Sequence, residues 1–457
     1  MGKVKIKNKN RKVLPYFLQG QTSSLATALS WLVASILVAL PFHAFLTVWL
    51  SSLTGHYTLL RLWKEFLLLI ILAGAAYILI KNKKLRARFL ESWLVRLIGV
   101  YTLVMLLWGF VALARHDVSG KAMWYGLLVN LRFLLIFLVA WVVAAKSSWL
   151  GSNWQKILFA PAILVAALAI LQFLVLPYDF LKHFGYGPST ISPYETINHN
   201  INHLRVASTL RGANPLGAYL VLPISALAVA YFNKRGKVSD KLMLGFGLLL
   251  ALTFSFSRSA WVGCILSLMV IVWVKLKNPQ ANRRMLQYSV ILVVIVSALV
   301  IGLRHNATFE NIFFHTDHTS RIAESSNEGH SAAFRNAVKD IIHHPLGSGV
   351  GTAGPESIYN NHPPRIAENY FLQIGQEAGI IGMALFMAIS VAIAKLLWGR
   401  RSDPLALWLF ASLIGLSLIN LLSHAWTDDT LAYIWWGLAG VALAPKLYNQ
   451  TRQTKSN

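Results

Sequence analysis

Three arginines and one glutamate are the side chains of this sequence best placed to do chemistry. Arg211 lies in STLRGANPLGAYL, where Gly212, Pro215 and Gly217 make a turn that enters a helix. Backbone N–H groups and a guanidinium converge in such a turn, an arrangement that suits a phosphate. Asn214, in the same turn, is read with it as a substrate-binding residue. Arg258 occupies a tight turn in LTFSFSRSAWVGC, with Ser255, Ser257 and Ser259 as further donors. Either arginine alone would serve equally as an anchor at headgroup level. Arg132 stands in the middle of an apolar run, LLVNLRFLLIFLV. A charge at the centre of a bilayer costs about 2.5–3.5 kcal/mol on insertion scales, so Arg132 must face a partner, and Glu65 in LWKEFLLLI is the candidate. That pair either holds helices together or lines a cavity for an anionic group. Taken together, the three arginines point to a diphosphate or another polyanion.

The carboxylate is Glu368, which opens ENYFLQIGQEAGIIG at the mouth of a later span. Beside arginines it could act as general base on a hydroxyl; alternatively it is a first-turn acid stabilised by the helix dipole. Glu377 lies deeper on the same helix and reads as a buried structural partner, while Gly379 and Gly382 permit close helix approach. His343, His344 and His362 lack the spacing of a metal site, and no metal or cofactor is expected. LGSGVGTAG carries no Gly-Lys-Ser/Thr and follows no strand, which argues against a nucleotide, and it reads as a flexible loop.

The elements that must position these groups are membrane helices. Of 457 residues 56% are hydrophobic and only 13% charged, far from the composition of a soluble domain. Sixteen Trp and 23 Phe exclude a disordered or fibrous chain, and the single Cys264 excludes a disulfide framework. Apolar runs predict twelve spans, near 24–50, 58–80, 92–114, 123–145, 155–176, 214–232, 240–256, 259–276, 287–304, 369–397, 404–422 and 429–445. The division at Ser255–Ser259 rests on the shortest loop. With the N-terminus inside, the segments on that side carry 28 of the 42 basic residues and only Glu91, Asp240 and Asp403 among the acids. The positive-inside rule then puts both termini in the cytoplasm. The net charge of +25 is thus a topology signal, and no nucleic-acid partner is expected. All 14 histidines fall on the outer side or in the outer halves of helices.

The expected fold is all-α: a polytopic bundle of about nine spans over 1–303 with an outer loop near 178–213, an extracytoplasmic lid over 304–368, and three spans with a cytoplasmic tail over 369–457. Within the lid, SAAFRNAVKDII (Ser331 to Ile342) places Ala333, Ala337 and Ile341 on one helix face with Phe334, Val338 and Ile342 beside them. His343-His344-Pro345 ends that helix.

Four segments taken together, Arg211–Gly217, TFSFSRSAW, SAAFRNAVKDIIHHPLGSGVG and ENYFLQIGQEAGIIG, resemble the O-antigen ligase and polymerase family of bacterial envelope glycosyltransferases. The resemblance extends to the topology, with a large outer loop between the ninth and tenth spans. It implies a metal-independent inverting enzyme of the inner membrane that uses a glycan on undecaprenyl diphosphate as donor and a glycan or lipid A–core as acceptor, among membrane lipids. It places Arg211 and Arg258 on the lipid diphosphate, with Arg321 or Arg335 as the arginine of the outer loop. The ligases carry His-Asn, nine residues, then Gly-x-x-Gly; here Asn369 and Gly379-Ile380-Ile381-Gly382 keep that spacing and Glu368 takes the histidine position. The substitution leaves a possible base and favours a polymerase over a ligase, with His362 as the alternative base. A rival from another class is a transporter or flippase of an anionic lipid-linked glycan, which interrupted, symmetry-related helices would favour.

Overall fold

Apolar runs in a bilayer can satisfy their backbone polar groups only within helices or closed barrels, and the computed structural model is helical throughout its apolar segments. It describes residues 23–197, 200–233, 237–276, 280 and 326–445. Among these, nine helices are long and apolar enough to cross a membrane. They are α1 (Ser24–Ala39) running through a short 3₁₀ turn into α2 (His43–Thr54), α4 (Trp63–Lys81), α6 (Trp93–Ala114), α7 (Gly120–Ala144), α8 (Trp149–Leu174), α9 (Ala213–Phe232), α11 (Arg258–Lys275), α13 (Tyr370–Gly399) and α14 (Pro404–Leu422). Two shorter apolar helices, α10 (Val238–Phe254) and α15 (Asp429–Leu443), occupy the expected spans 240–256 and 429–445, and the short α5 (Lys83–Glu91) links α4 to α6. The expected span 287–304 lies outside the described residues. The division at Ser255–Ser259 stands where the sequence put it, because α10 stops at Phe254 and α11 starts at Arg258.

Helix α15 is the axis of the bundle. Every residue from Thr430 to Leu443 is buried, and it packs along α7, with Phe133 and Phe137 against Trp436. A helix apolar on all sides has no surface that needs to face polar groups, so it can be enclosed completely. Smaller elements gather at one end: α3 (Tyr57–Arg61), the hairpin β1 (Glu195–Ile197) and β2 (Asn200–Arg205), and the lid helix α12 (Ser326–His343). On α12 the buried stripe is narrower than the sequence pattern suggests: Ala337 and Ile341 are buried, whereas Phe334 and Ile342 are exposed.

Two spans are broken, and each break is filled by protein. Pro41 interrupts the first, and the carbonyls of Leu40 and Pro41 accept hydrogen bonds from Thr430 Oγ1 at 3.0 Å and Thr209 Oγ1 at 2.7 Å. The second break is at Gly379, where φ is 67°. The carbonyls freed there are taken by the backbone of the glycine run, with Ser348 N–H on Gln376 O and Gly349 N–H on Glu377 O, both at 2.8 Å. Ile380 N–H returns to Pro345 O at 2.9 Å. This corrects two sequence expectations. Leu346–Gly354 is a packed segment rather than a flexible loop, with Val350 fully buried. Gly379 is the point where α13 unwinds rather than a helix-contact glycine; a Cβ on it would strike the backbone of Pro345 and Gly347. A run of glycines can signal freedom or close approach, and here it is close approach.

Candidate active site

The groups singled out in the sequence meet at the lid end of the bundle. The turn before α9 carries Arg211 exposed, within electrostatic reach of His424 and Asp428 in the connection between α14 and α15. Arg258 is the first residue of α11 and lies close enough to Arg205 and to His330 on the lid helix for their charges to interact. Arg205, the last residue of β2, was not anticipated. Its Nε donates to Ser255 O at 3.1 Å, its Nη2 to Asn214 Oδ1 at 2.6 Å, and its Nη1 stands 3.9 Å from Glu195 Oε2. Asn214 therefore orients an arginine. Burial lowers the pKa of Arg205, partly offset by the nearby Glu195 carboxylate.

Glu368 sits directly before α13 with φ 50°, a left-handed conformation rare for a residue with a Cβ. Its carboxylate is half-buried and meets Nδ1 of His330 through Oε2. Burial, and then the Arg258 charge, lower the pKa of His330 below that of a free imidazole. His424 joins the same group; burial, with Arg211 and His330 adding, takes its pKa down to about 4. Asn369 is the N-cap of α13: its Oδ1 accepts from Leu372 N–H and its Nδ2 donates to Leu421 O, both at 3.0 Å. Its side chain is thus engaged by the backbone, and it fixes where Glu368 stands. Arg335 is exposed on α12, about 140° round the helix from His330. His362 lies over Pro363 O at 3.0 Å, and the imidazole brought to Glu368 is that of His330. Arg321 lies outside the described residues.

Arg132 has a stronger partner than the sequence suggested. It forms an ion pair with Asp429 at the start of α15, donates to Thr427 O at 2.9 Å, and stands only 3.9 Å from Glu65. Lys64, 1% exposed, bridges Asp429 at 3.0 Å and Glu65 at 3.1 Å, and reaches His43 Nε2 at 3.3 Å. Two cations thus face two carboxylates under the site. Sequence inspection could have flagged Lys64 and Asp429 as charges at span ends, but nothing local pairs them with Arg132.

A second buried pair docks the lid. Glu356, in the lid segment, hydrogen-bonds to Glu377 of α13, which requires a proton between the two carboxyls. Gln373 Nε2 donates to Glu356 at 3.1 Å, and Asn130 Nδ2 and Gly351 N–H donate to Glu377 at 2.8 and 2.7 Å. Burial raises the Glu356 carboxyl from the usual carboxylate range to about 7. A carboxyl raised on folding contributes stability that is complete below its unfolded pKa and is lost as pH rises through its folded one. Wild-type protein is therefore expected to lose on the order of 1–3 kcal/mol between pH 5 and pH 8. Glu356→Gln should flatten that dependence in thermal unfolding; parallel curves for the two proteins would contradict the assignment. Among the described residues no three His, Cys, Asp or Glu side chains are grouped so as to hold a metal ion.

An all-helical membrane bundle with a lidded, cationic site bearing an acid–imidazole pair is the class of protein that these features define. Comparison with known proteins shows what part of the chain is similar to. A model of the O-antigen ligase family matches residues 242–387, from α10 across the lid into α13. An O-antigen polymerase of Salmonella muenchen is 26% identical over 302 residues, 63% of this chain and 72% of that protein. Over these residues the chain is similar to the O-antigen ligase and polymerase family.

Proposed function

We propose that the protein transfers a glycan from undecaprenyl diphosphate to a sugar hydroxyl at the outer face of the cytoplasmic membrane, with both termini in the cytoplasm, and that it acts as a polymerase rather than a ligase. The observation that carries the reading is the meeting of Arg205, Arg211 and Arg258 with the His330–Glu368 pair. The arginines would hold the diphosphate and stabilise the charge that develops as the anomeric C–O bond breaks. The acceptor oxygen attacks the anomeric carbon from the opposite side, giving inversion in one displacement and undecaprenyl diphosphate as leaving group. The acceptor proton passes to the pair: Glu368 holds His330 at Nδ1, which leaves Nε2 free to accept it, or Glu368 takes it directly. Glu368 in the histidine position of the ligases supports the polymerase over the ligase.

The deciding test is transfer by purified protein in liposomes supplied with undecaprenyl-diphosphate-linked repeat units and neither metal nor nucleotide. A ladder of longer lipid-linked glycans is the expected product. One transfer, seen only with a separate acceptor, would make it a ligase. An intact donor recovered on the opposite leaflet would make it a flippase. Arg211→Ala should weaken donor binding by about 1.5–3 kcal/mol, the worth of a charged hydrogen bond, whereas Arg335→Ala should change it little; equal effects would remove Arg211 from the diphosphate site.

A further inference from the structure

Arg211 lines two cavities, one of about 190 Å³ against the hairpin and one of about 260 Å³ that descends between α2, α3, α7 and the start of α15. We propose that the larger is a saccharide subsite for the sugar units next to the reacting bond, an inference that rests on the diphosphate reading of Arg211. By the roughly 30 Å³ that one water occupies, 260 Å³ holds about nine waters, room for a sugar ring. Its walls suit a carbohydrate. Tyr125 and Tyr359 meet edge to face at 5.4 Å, with the Arg61 guanidinium 4.9 Å from the centre of the first ring and Lys121 Nζ 4.1 Å from that of the second. Each aromatic is thereby fixed before a ligand arrives, which reduces the ordering cost of binding. The Tyr359 carbonyl is further tied to Ser119 Oγ at 2.9 Å.

The floor supplies polar groups without net charge. Arg132 and Lys64 are balanced by Asp429 and Glu65 in the network beneath, so a bare ion finds no uncompensated field there. Arg132 is among the residues lining this cavity, its guanidinium held by Asp429 and the Thr427 carbonyl. Asp428, also on the wall, offers an acceptor for a hydroxyl proton. Guanidinium, carboxylate and phenol groups in one cavity are a poor match for an isoprenoid chain, whose burial would strand them.

The test uses the full-length protein in detergent and the free oligosaccharide released by mild acid from lipid-linked repeat units of the encoding strain. Tyr125→Ala and Tyr359→Leu are each expected to weaken binding of that oligosaccharide roughly ten-fold or more, about 1.4 kcal/mol, while binding of sugar-free undecaprenyl diphosphate and the melting temperature stay at wild-type values. Equal oligosaccharide binding by wild type and both variants, or none by the wild type, would overturn the proposal. In turnover, a raised KM for the lipid-linked donor would assign the subsite to the donor glycan, and a raised KM for the acceptor alone would assign it to the acceptor. Should wild-type protein bind the oligosaccharide through Tyr125 but transfer nothing, the subsite stands and the transferase reading falls.

Discussion

Glu368→Gln is expected to lower the rate of glycan transfer by about 10²–10⁴-fold, the usual contribution of a positioned acid–base group, with little change in affinity for undecaprenyl diphosphate. The amide keeps the shape of the side chain and its place before the N-cap Asn369, so α13 and the lid should be unaffected. What it removes is the charge that pairs with His330 Nδ1. Without that carboxylate neither a proton on the imidazole nor its orientation is supported, and direct abstraction by Glu368 is also lost. His330→Ala should therefore cost a comparable factor, and the double variant should be little worse than either, because groups that act as a unit are not additive. The two roles of Glu368 separate by pH. If His330 accepts the proton, kcat/KM should rise with pH through a value below that of a free imidazole, as burial and Arg258 dictate. Transfer that keeps its rate in His330→Ala would instead make Glu368 the direct base. Wild-type rates from Glu368→Gln would exclude both.

The second large effect is on stability. Asp429→Ala is expected to destabilise the bundle by about 3–5 kcal/mol, the cost of leaving a buried charge without its partner. Arg132 would keep only Glu65 at 3.9 Å and the Thr427 carbonyl, and Lys64 would share the same glutamate. A lower melting temperature in detergent and a smaller yield of folded protein are the readouts. Arg132→Met combined with Asp429→Leu should recover much of the loss, since a buried ion pair exchanged for apolar side chains of similar volume is often tolerated. Glu65→Gln should cost markedly less than Asp429→Ala; the reverse order would show that Glu65 is the principal partner after all. The same network also forms the floor of the cavity under Arg211, so the recovered double variant provides a stable protein in which that floor lacks the Arg132–Asp429 pair.

Much of this molecule follows from local pattern. The long apolar runs, the break between α10 and α11 and the turn carrying Arg211 are each set by a dozen or two consecutive residues: backbone groups in an apolar medium must close their hydrogen bonds at short range. The same holds for Glu368 beside Asn369, because an N-cap is defined within four residues. The pairings were not legible. Arg132 with Asp429, Glu368 with His330, Arg205 with Ser255, and Glu356 with Glu377 each join different elements of the chain. Which of several compatible charges meet depends on how the helices rotate and cross when packed, and that carries no local signature. The glycine run shows the same division: its composition permits either a mobile loop or a tightly seated one. The choice was made by α13, whose unwinding at Gly379 frees two carbonyls that the Ser348 and Gly349 N–H groups satisfy.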